Sequence, residues 1–380
     1  MKLKHLFQLV AVVLTAARAL ALNIPSDGSD GDFSPTGDIV VDLGLAPTGS
    51  WNDNNAANAG KGVYDPSKWA VVFKYNSVNI PKGAKVTFIN HKTHAPVVWL
   101  VKGNVQINGI VSVAGQDYKS DSISALTPTE PGPGGFRGGA IGPAGIGVGY
   151  GIGGGFINCC SANPGAFSSV YGNPQLLPLI GGSGGHAGGG GAILIAAAGE
   201  VSIIGQVDAS GGKLGYNNAN GSGGAVRIIG QLVSGAGQIV ALNDGRIRIE
   251  TPSLAASLRT TPETIAVTPP TNPILWPADD APTVRVLTVD GLAAREDPTA
   301  LVVSTSDVAV QNNGTVQVIL ETKNFPIQGV VQLRTGRKYG PGGWVTANYV
   351  AGGDFAKSTW VANVTFAPGF TTLQARATVP

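Results

Sequence analysis

A three-part pattern recurs along this chain and constrains its fold more than any other feature of the sequence. Residues 95–116, 191–212 and 224–245 each contain three short runs of β-branched and aliphatic residues, joined by short turns rich in Gly, Asn or Lys. Residues 69–91 repeat the pattern less regularly, and residues 245–250 match its beginning. A unit of about twenty residues with three strands cannot bury its inward face alone, so such units have to stack and share one core. The sequence therefore predicts an all-β chain whose first part is a parallel β-solenoid.

The alternation of side chains within these runs predicts which residues face the shared core. Successive residues of a strand point to opposite faces, so residues two apart belong to the same face. Arg227 should point outward because it lies between the apolar residues Val226 and Ile228. The residues expected to stack inward are Val98, Leu100, Ile193, Ile195, Val226 and Ile228.

Glycine is unusually frequent, at 56 of 380 residues, and it is concentrated in residues 181–199. Gly182, Gly184 and Ala187 match the G-x-G-x-x-A spacing of dinucleotide-binding loops, which hold a pyrophosphate at the N-terminus of a following helix. The residues that follow here are β-branched runs without helical periodicity, which argues against that interpretation. We instead expect the glycines to mark tight corners that need a positive φ, and places where stacked backbones approach closely.

Two insertions interrupt the repeat, residues 117–190 and 213–223, and both leave after a third strand and return before a first strand. Equivalent exit points in stacked units should bring them side by side, and loops stacked on one edge of a scaffold are a usual place for function. Aromatic rings beside polar groups suit the faces of sugars. The alternative is that the rings only hold the longer insertion against the solenoid. The carbohydrate-binding candidates are Phe136, Arg137, Tyr150, Tyr171 and Tyr216.

The first 21 residues have the features of a signal peptide. The basic segment MKLKH precedes the apolar segment LFQLVAVVLTAA, and Ala19, Leu20 and Ala21 fit the small-x-small rule for cleavage. The apolar segment is too short to cross a bilayer, and no second apolar segment of about twenty residues follows. We therefore expect a secreted protein, extracellular or at the cell surface, without a membrane span in the mature chain.

Composition and charge limit the classes of function that the sequence supports. A net charge of +2 provides no overall field for binding polyanions, so nucleic acid is not an expected partner. Lyases and hydrolases of polysaccharides need paired or clustered carboxylates, but residues 97–250 contain only seven Asp and Glu, none in a D-D or D-x-D cluster. The sequence thus favours a non-catalytic exported structural or adhesive protein that binds polysaccharide or other cell-surface components, with no cofactor. A polysaccharide lyase or glycoside hydrolase of the β-helix type is the alternative.

Two short motifs leave alternatives open. Asp27, Asp30 and Asp32 resemble the ligands of a Ca²⁺-binding loop, but their order is not D-x-D-x-D-G, so the segment is either a polar cap on the first unit or an ion site. Cys159 and Cys160 are adjacent, and a disulfide between neighbouring residues would be strained. They are two small buried side chains, a vicinal disulfide in an oxidising compartment, or residues with an intermolecular or metal-binding role.

The histidines offer no catalytic set and no metal site. His91 and His94 in the segment NHKTH have no evident third ligand, and we interpret them as solvated residues of a turn. His186 lies within the glycine-rich run, and we interpret it as polar surface.

Several segments together resemble a known group of proteins. The stretches GVYDPSKWAVVFKYNSVNIPKGAKVTF, PGPGGFRGG and GSGGAVRI are similar to secreted, Gly-rich bacterial proteins of the pectin-lyase-like type, over residues 26–250. This resemblance implies a right-handed parallel β-helix and an exported protein. It implies no particular activity, because the group has no agreed one.

The composition changes after residue 250. A proline-rich segment comes first, and about seven short alternating runs separated by polar turns then predict a β-sandwich of the immunoglobulin or fibronectin type. The expected organisation is a signal peptide (1–21), an N-terminal cap (22–68), a parallel β-helix (69–250), a Pro-rich linker (251–282) and a β-sandwich (283–380).

Overall fold

The computed structural model is an all-β structure. It describes residues 21–53, 56–118, 128–139, 141–142, 145–146, 149–152, 173–213, 220–255, 257–294, 308–312, 314–337, 340–341, 343–366 and 371–379. The helices among these residues are two 3₁₀ turns, Leu43–Leu45 and Ala56–Asn58. This predominance of strands confirms the predicted fold class at its coarsest level.

The first twenty strands extend to residue 267. They are β1 (Asp32–Phe33), β2 (Ile39–Asp42), β3 (Val63–Asp65), β4 (Ala70–Tyr75), β5 (Ser77–Ile80), β6 (Lys85–Ile89), β7 (Val97–Val101), β8 (Val105–Ile107), β9 (Ile110–Ser112), β10 (Ile141–Gly142), β11 (Gly145–Ile146), β12 (Ala192–Ala197), β13 (Glu200–Ile203), β14 (Gln206–Asp208), β15 (Ala225–Ile229), β16 (Leu232–Ser234), β17 (Gln238–Val240), β18 (Arg246–Glu250), β19 (Arg259–Thr261) and β20 (Ala266–Val267).

All but two of these strands belong to three sheets in which the pairing is parallel except between β3 and β4. Sheet A has the order β1-β5-β8-β13-β16, sheet B the order β2-β6-β9-β14-β17-β19, and sheet C the order β3-β4-β7-β12-β15-β18-β20. The chain visits sheets C, A and B in turn, as in β7, β8 and β9 and again in β12, β13 and β14. Each predicted three-strand unit therefore supplies one strand to each sheet. The remaining pair, β10 and β11, forms an antiparallel ribbon.

The register of sheet C aligns apolar residues in columns that face the core. Ile193 pairs with Val97 on one side and with Val226 on the other, and the same column continues to Ile247. These residues belong to one buried cluster, which also receives alternate residues of sheets A and B. The predicted inward orientation of Ile193, Ile195, Val226 and Ile228 agrees with this cluster.

The predicted orientation of β7 was wrong by one residue. Val97, Trp99 and Val101 join the inward cluster, whereas Val98 and Leu100 belong to a second cluster on the opposite face of sheet C. A shift of one residue exchanges the two faces of a strand. Every residue of β7 is apolar and buried, so its sequence contains no polar residue that marks the outer side.

The outer face of sheet C is covered by two segments that are distant in sequence. Leu22 and Ile24 pack there together with Leu275, and the amide of Asn23 donates a hydrogen bond to the carbonyl of Thr271 at 2.8 Å. The segment predicted to be a linker also contributes β19 and β20 to sheets B and C. Part of it is therefore packed against the parallel sheets, and the domain boundaries themselves stay predictions.

Arg227 points outward, as predicted, but the covering segment buries it. Its neighbours in register are Leu194 and Arg248. The Nε of Arg227 donates to Glu250 at 2.8 Å, and its Nη2 donates to the carbonyl of Ile274 at 2.7 Å. Arg227 exposes only 2% of its surface, and these partners offset part of the cost of desolvating its guanidinium, whose Nη1 has no hydrogen-bond partner among the described residues.

The strands that follow are antiparallel. They are β21 (Thr283–Val289), β22 (Leu292–Ala293), β23 (Thr315–Lys323), β24 (Val330–Arg337), β25 (Gly340–Pro341), β26 (Val345–Thr346), β27 (Asn348–Val350), β28 (Lys357–Thr365) and β29 (Thr372–Thr378). One sheet has the order β22-β21-β23-β28-β27, and a second consists of β24 with β25, β26 and β29. Alternate residues of both sheets, among them Val318, Trp360 and Leu333, form one buried cluster.

Replacement of Ile195 by Asp tests the inward face of sheet C. An unpaired carboxylate would enter the buried column at this position, so Ile195→Asp should lower the free energy of unfolding by several kcal/mol. The matched control is Ile204→Asp, because Ile204 lies in a turn and is 56% exposed. Thermal melting of both variants provides the measurement. Equal melting of Ile195→Asp and the parent chain would contradict the assignment of faces.

Candidate functional site

The glycine-rich segments form a buried layer at the corner from which the insertions emerge. We call residues 131–139, 181–191, 210–212 and 221–224 the glycine layer. None of these residues lies in a regular strand, yet their backbones form hydrogen bonds with one another. The amide of Gly182 donates to the carbonyl of Gly190 at 2.7 Å, and the amide of Gly190 donates to the carbonyl of Ser222 at 2.8 Å. The layer is thus built from irregular backbone segments that form hydrogen bonds with neighbouring segments.

Close approach, and not backbone conformation, explains the glycines of residues 181–191. A Cβ on Gly189 would overlap the carbonyl of Gly182, and a Cβ on Gly190 would overlap that of Ala209. No glycine in this run has a positive φ. The expected close approach of backbones is therefore confirmed, whereas the expected positive φ was wrong for this run. A positive φ is present at Gly134 and Gly151, with values of 84° and 105°.

The two insertions lie side by side where they leave the sheets, as predicted. The amide of Tyr118 donates to the carbonyl of Lys213 at 2.9 Å, and the amide of Lys213 donates to the Asp117 carboxylate at 2.7 Å. Segments that the sequence separates by about a hundred residues are thus adjacent at this corner.

The structure describes only some of the predicted sugar-binding residues, and these lie in the glycine layer (Phe136, Arg137) or against it (Tyr150). Phe136 and Arg137 are buried, with 5% and 3% of their surfaces exposed. The guanidinium carbon of Arg137 lies 5.2 Å from the centroid of the half-buried Tyr150 ring. This packing fits the alternative in which these side chains hold the longer insertion in place. The candidates Tyr171, Tyr216, Cys159 and Cys160 lie outside the described residues.

The prediction of solvated histidines at residues 91 and 94 was wrong, because both are buried. The ring of His91 stacks on Tyr64 at 4.2 Å, and the Nε2 of His94 lies 3.3 Å from a carboxylate oxygen of Glu130. Glu130 belongs to the long insertion, so this pair attaches the insertion to the turn before β7. No short-range pattern links these residues, which is why sequence reasoning missed the contact.

The acidic N-terminal segment uses its carboxylates for contacts within the chain. Asp27 pairs with the ammonium of Lys74 at 3.1 Å, and Asp30 accepts the backbone amides of Gly60 and Lys74 at 2.8 and 2.6 Å. Asp32 accepts the hydroxyl of Ser77 at 2.7 Å. Burial raises the pKa of Asp30, against these hydrogen bonds. Within the described ranges no three His, Cys, Asp or Glu residues come together as metal ligands.

A groove of about 360 Å³ runs along a different corner, where the strands of sheet A end and those of sheet B begin. Successive units contribute equivalent residues to it, because β6, β9, β14, β17 and β19 pair in parallel. We call the resulting outward column the corner row. Its members, in order along sheet B, are Lys85, Ile110, Gln206, Gln238 and Arg259.

The corner row combines hydrogen-bonding, apolar and cationic groups. The side-chain Nε2 of Gln238 donates to the Oε1 of Gln206 at 3.0 Å. This bond aligns two side chains that each have hydrogen-bond donors and an acceptor. Ile110 and Ile204 add exposed apolar surface, 37% and 56% of each residue. Lys85 and Arg259 are exposed at opposite ends of the row. Four strand spacings of about 4.8 Å separate them, which gives a distance of about 19 Å.

The charge of the groove is positive. None of the residues that line it is acidic. Asp38 lies beside one end, where its carboxylate accepts the backbone amide of Lys85 at 2.8 Å. The sequence could not single out this groove, because each unit contributes at most three ordinary residues to it, from one short turn and the start of the next strand.

Comparison of the chain with protein-family models, with curated proteins and with solved structures found no match. The described part of the chain also contains no helix with the length and hydrophobicity that a bilayer crossing requires. Within the described residues, the groove with its corner row combines amide, apolar and cationic side chains in one place.

Replacement of Gly189 by Ala tests the packing of the glycine layer. The new methyl group would overlap the backbone of Gly182, so the layer would have to open, at a cost of about 1–3 kcal/mol or more. Gly37→Ala is the control, because a Cβ there meets nothing within 4 Å. Differential scanning calorimetry should show a lower melting temperature for Gly189→Ala alone. If both variants melt like the parent chain, the glycine layer is not closely packed.

His186 is buried in the glycine layer, contrary to its interpretation as polar surface. It exposes 4% of its surface and stacks on the ring of Tyr118 at 5.0 Å. Neither ring nitrogen has a hydrogen-bond partner among the described residues. Burial lowers the pKa of His186 from 6.5 to about 4.

This pKa predicts that acid destabilises the glycine layer. Between pH 6.5 and about 4 the unfolded chain binds a proton at residue 186 that the folded chain does not, so the stability is complete above pH 6.5 and falls as the pH falls towards 4. The full loss is about 3 kcal/mol. In His186→Phe, which retains a ring against Tyr118, this component should be absent. Chemical unfolding at pH 7.5 and pH 4.5 measures it, and an equal acid-induced loss in both proteins would refute it.

Proposed function

We propose that this chain is an exported, non-catalytic structural or adhesive protein, and that it binds an anionic polysaccharide along the corner row. In this proposal the three parallel sheets are the faces of a right-handed β-helix of the pectin-lyase-like type, and the two antiparallel sheets form a β-sandwich. The observation that carries the function is the groove, with paired amides in its middle and a cation at each end.

The strand order supports the proposed β-helix. Each unit contributes one strand to sheets C, A and B in turn, and equivalent strands pair in parallel from unit to unit. The shared apolar cluster of two antiparallel sheets supports the proposed sandwich in the same way.

Export is supported by the packing that begins just after the proposed cleavage site. Leu22 and Ile24 are 5% and 6% exposed and lie against the outer face of sheet C. Removal of residues 1–21 would therefore leave a chain whose first residues are already held by apolar contacts.

The geometry of the groove favours an extended polymer as ligand. The corner row repeats its side chains every 4.8 Å or so along the stacked strands, a step comparable to the length of one sugar residue. Exposed isoleucines offer contact to C–H faces, and the glutamine amides offer donors and acceptors to hydroxyl groups. Because the net charge of the chain is only +2, attraction of an acidic chain has to be local, and Lys85 and Arg259 provide it.

The alternative function, cleavage of a polysaccharide, receives less support from this groove. General acid–base chemistry on a glycosidic bond uses a pair of carboxyl groups within reach of the bond. The residues that line the groove include amides and two cations but no Asp or Glu. Their chemistry is that of a binding surface.

Charge reversal at both ends of the corner row tests the proposal. The variant with Lys85→Glu and Arg259→Glu should bind a soluble uronic-acid polymer at least tenfold more weakly than the parent chain, because attraction becomes repulsion at both ends. Isothermal titration calorimetry at low and physiological salt measures the effect. Lys102→Glu is the control, since Lys102 is equally exposed but lies in the turn between sheets C and A.

The same samples distinguish the alternative. An assay for new reducing or unsaturated ends, with and without Ca²⁺, should show none for the parent chain. Release of such ends would favour the lyase or hydrolase, and equal binding by the charge-reversed variant and the parent would place any polysaccharide site elsewhere.

A further inference from the structure

We propose a second carbohydrate site on the antiparallel sheet of β24 and β29, where Trp344, Arg334 and Arg376 would bind a pyranose ring that bears a carboxylate. This inference rests on the proposed function in its ligand class but uses a separate set of residues. Its evidence is an aromatic ring that is placed on the outer face of the sheet, in contact with two guanidinium groups.

The sheet separates an apolar face from a polar one. Val331 and Leu333 of β24 belong to the buried cluster, together with Ala375 of β29 packed against it. The residues between them point the other way, and the register sets Gln332 opposite Arg376 and Arg334 opposite Gln374. The outer face therefore presents two arginines and two glutamines on adjacent strands.

Cross-strand hydrogen bonds hold these side chains in position. The Nε of Arg334 donates to the Gln374 amide oxygen at 2.6 Å, and the Nε of Arg376 donates to that of Gln332 at 2.8 Å. Each bond fixes one guanidinium fork against the neighbouring strand. Both forks are thus oriented before any ligand binds, which reduces the entropy cost of binding.

Trp344 lies over this polar face. Its ring centroid is 4.6 Å from the guanidinium carbon of Arg334 and 4.1 Å from that of Arg376. The ring is half-buried and does not belong to the apolar cluster on the other side of the sheet. The hydrophobic core therefore does not explain its position, whereas two cation–π contacts do.

The charges on this face favour an acidic ligand. The described side chains here are Gln332, Arg334, Trp344, Thr346, Gln374 and Arg376, none of which is acidic. Burial lowers the pKa of Arg334, and the positive charge of Arg376 lowers it further. A carboxylate beside the exposed fork of Arg376 would relieve that repulsion and accept hydrogen bonds from this guanidinium.

An indole ring beside the forks adds a surface for the sugar itself. Aromatic rings contact apolar C–H groups while neighbouring donors bind the polar substituents, so ring and carboxylate of one uronic acid residue are recognised together. A free carboxylate would use only the arginines, and a neutral sugar only the ring. The combination selects an acidic pyranose over both.

The experiment uses the full chain with Lys85→Glu and Arg259→Glu, in which the corner row is disabled. Saturation-transfer NMR and calorimetry with a short uronic-acid oligosaccharide should show weak residual binding, and Trp344→Ala in this background should reduce the affinity at least tenfold. Arg376→Gln, at an exposed position, should do the same for the acidic oligosaccharide but change binding of its neutral counterpart little. Phe355→Ala is the matched control, because Phe355 is an aromatic residue that is 60% exposed in a turn of the other sheet.

The outcomes separate the two proposals. Residual binding that depends on Trp344 and Arg376 supports the second site even if the corner row binds nothing. Absence of residual binding, together with unchanged affinity of Trp344→Ala in the otherwise unaltered chain, overturns the second site and leaves the corner row standing. Melting of each variant checks that the sheet remains folded, and Trp344→Phe, which retains a ring, should recover part of the affinity.

Discussion

Parallel pairing in register is the constraint on which the rest of this structure depends. Because each strand pairs with its equivalent in the next unit, a residue type at one position stacks on the same position above and below it, as Ile193 does between Val97 and Val226. Stacked aliphatic columns then form one continuous core. The same register creates columns on the outside, and the corner row is one of them. A surface that no single unit encodes thus follows directly from the pairing that builds the core.

The glycine layer extends this close packing beyond the regular strands. Side chains from sheets A, B and C fill the core that these sheets share. In the glycine layer, backbone atoms of neighbouring segments pack directly against one another instead. Amide and carbonyl groups of neighbouring segments satisfy each other, as between Gly190 and Ser222, so burial leaves few polar groups unpaired. This packing leaves no room for a side chain, since a single methyl group at Gly224 would overlap the carbonyl of Gly191. This explains why a protein with a conventional aliphatic core still needs so much glycine.

Sequence reasoning could predict whatever is repeated locally. The three strands of each unit, the outward direction of Arg227 and the inward direction of Ile195 all follow from alternation within one strand. Alternation gave the wrong orientation for β7, because both of its faces are covered and every residue in it is apolar. In the structure Trp99, and not Val98, faces the core. The covering segment around Leu275 comes from a part of the chain whose proline content indicated a linker.

Contacts between distant segments were beyond the reach of such reasoning. The pair of His94 and Glu130 joins residues with no common motif. The corner row and the contacts of the Trp344 ring with two arginines depend on register between strands that are far apart in the chain. Functional surfaces of this kind become visible only once the pairing partners are known.

The two proposed sites together determine which form of the ligand this protein would favour. Each site is open to solvent, and ion pairs at exposed positions contribute little and are screened by salt. Neither site alone is therefore expected to hold a short oligosaccharide tightly. A polymer presents many equivalent acidic residues to each site, so a second contact with the same polymer forms at a higher effective concentration than the first. Weak sites of this kind favour a polymer over its fragments, and they suit a protein that attaches to a polysaccharide matrix without degrading it.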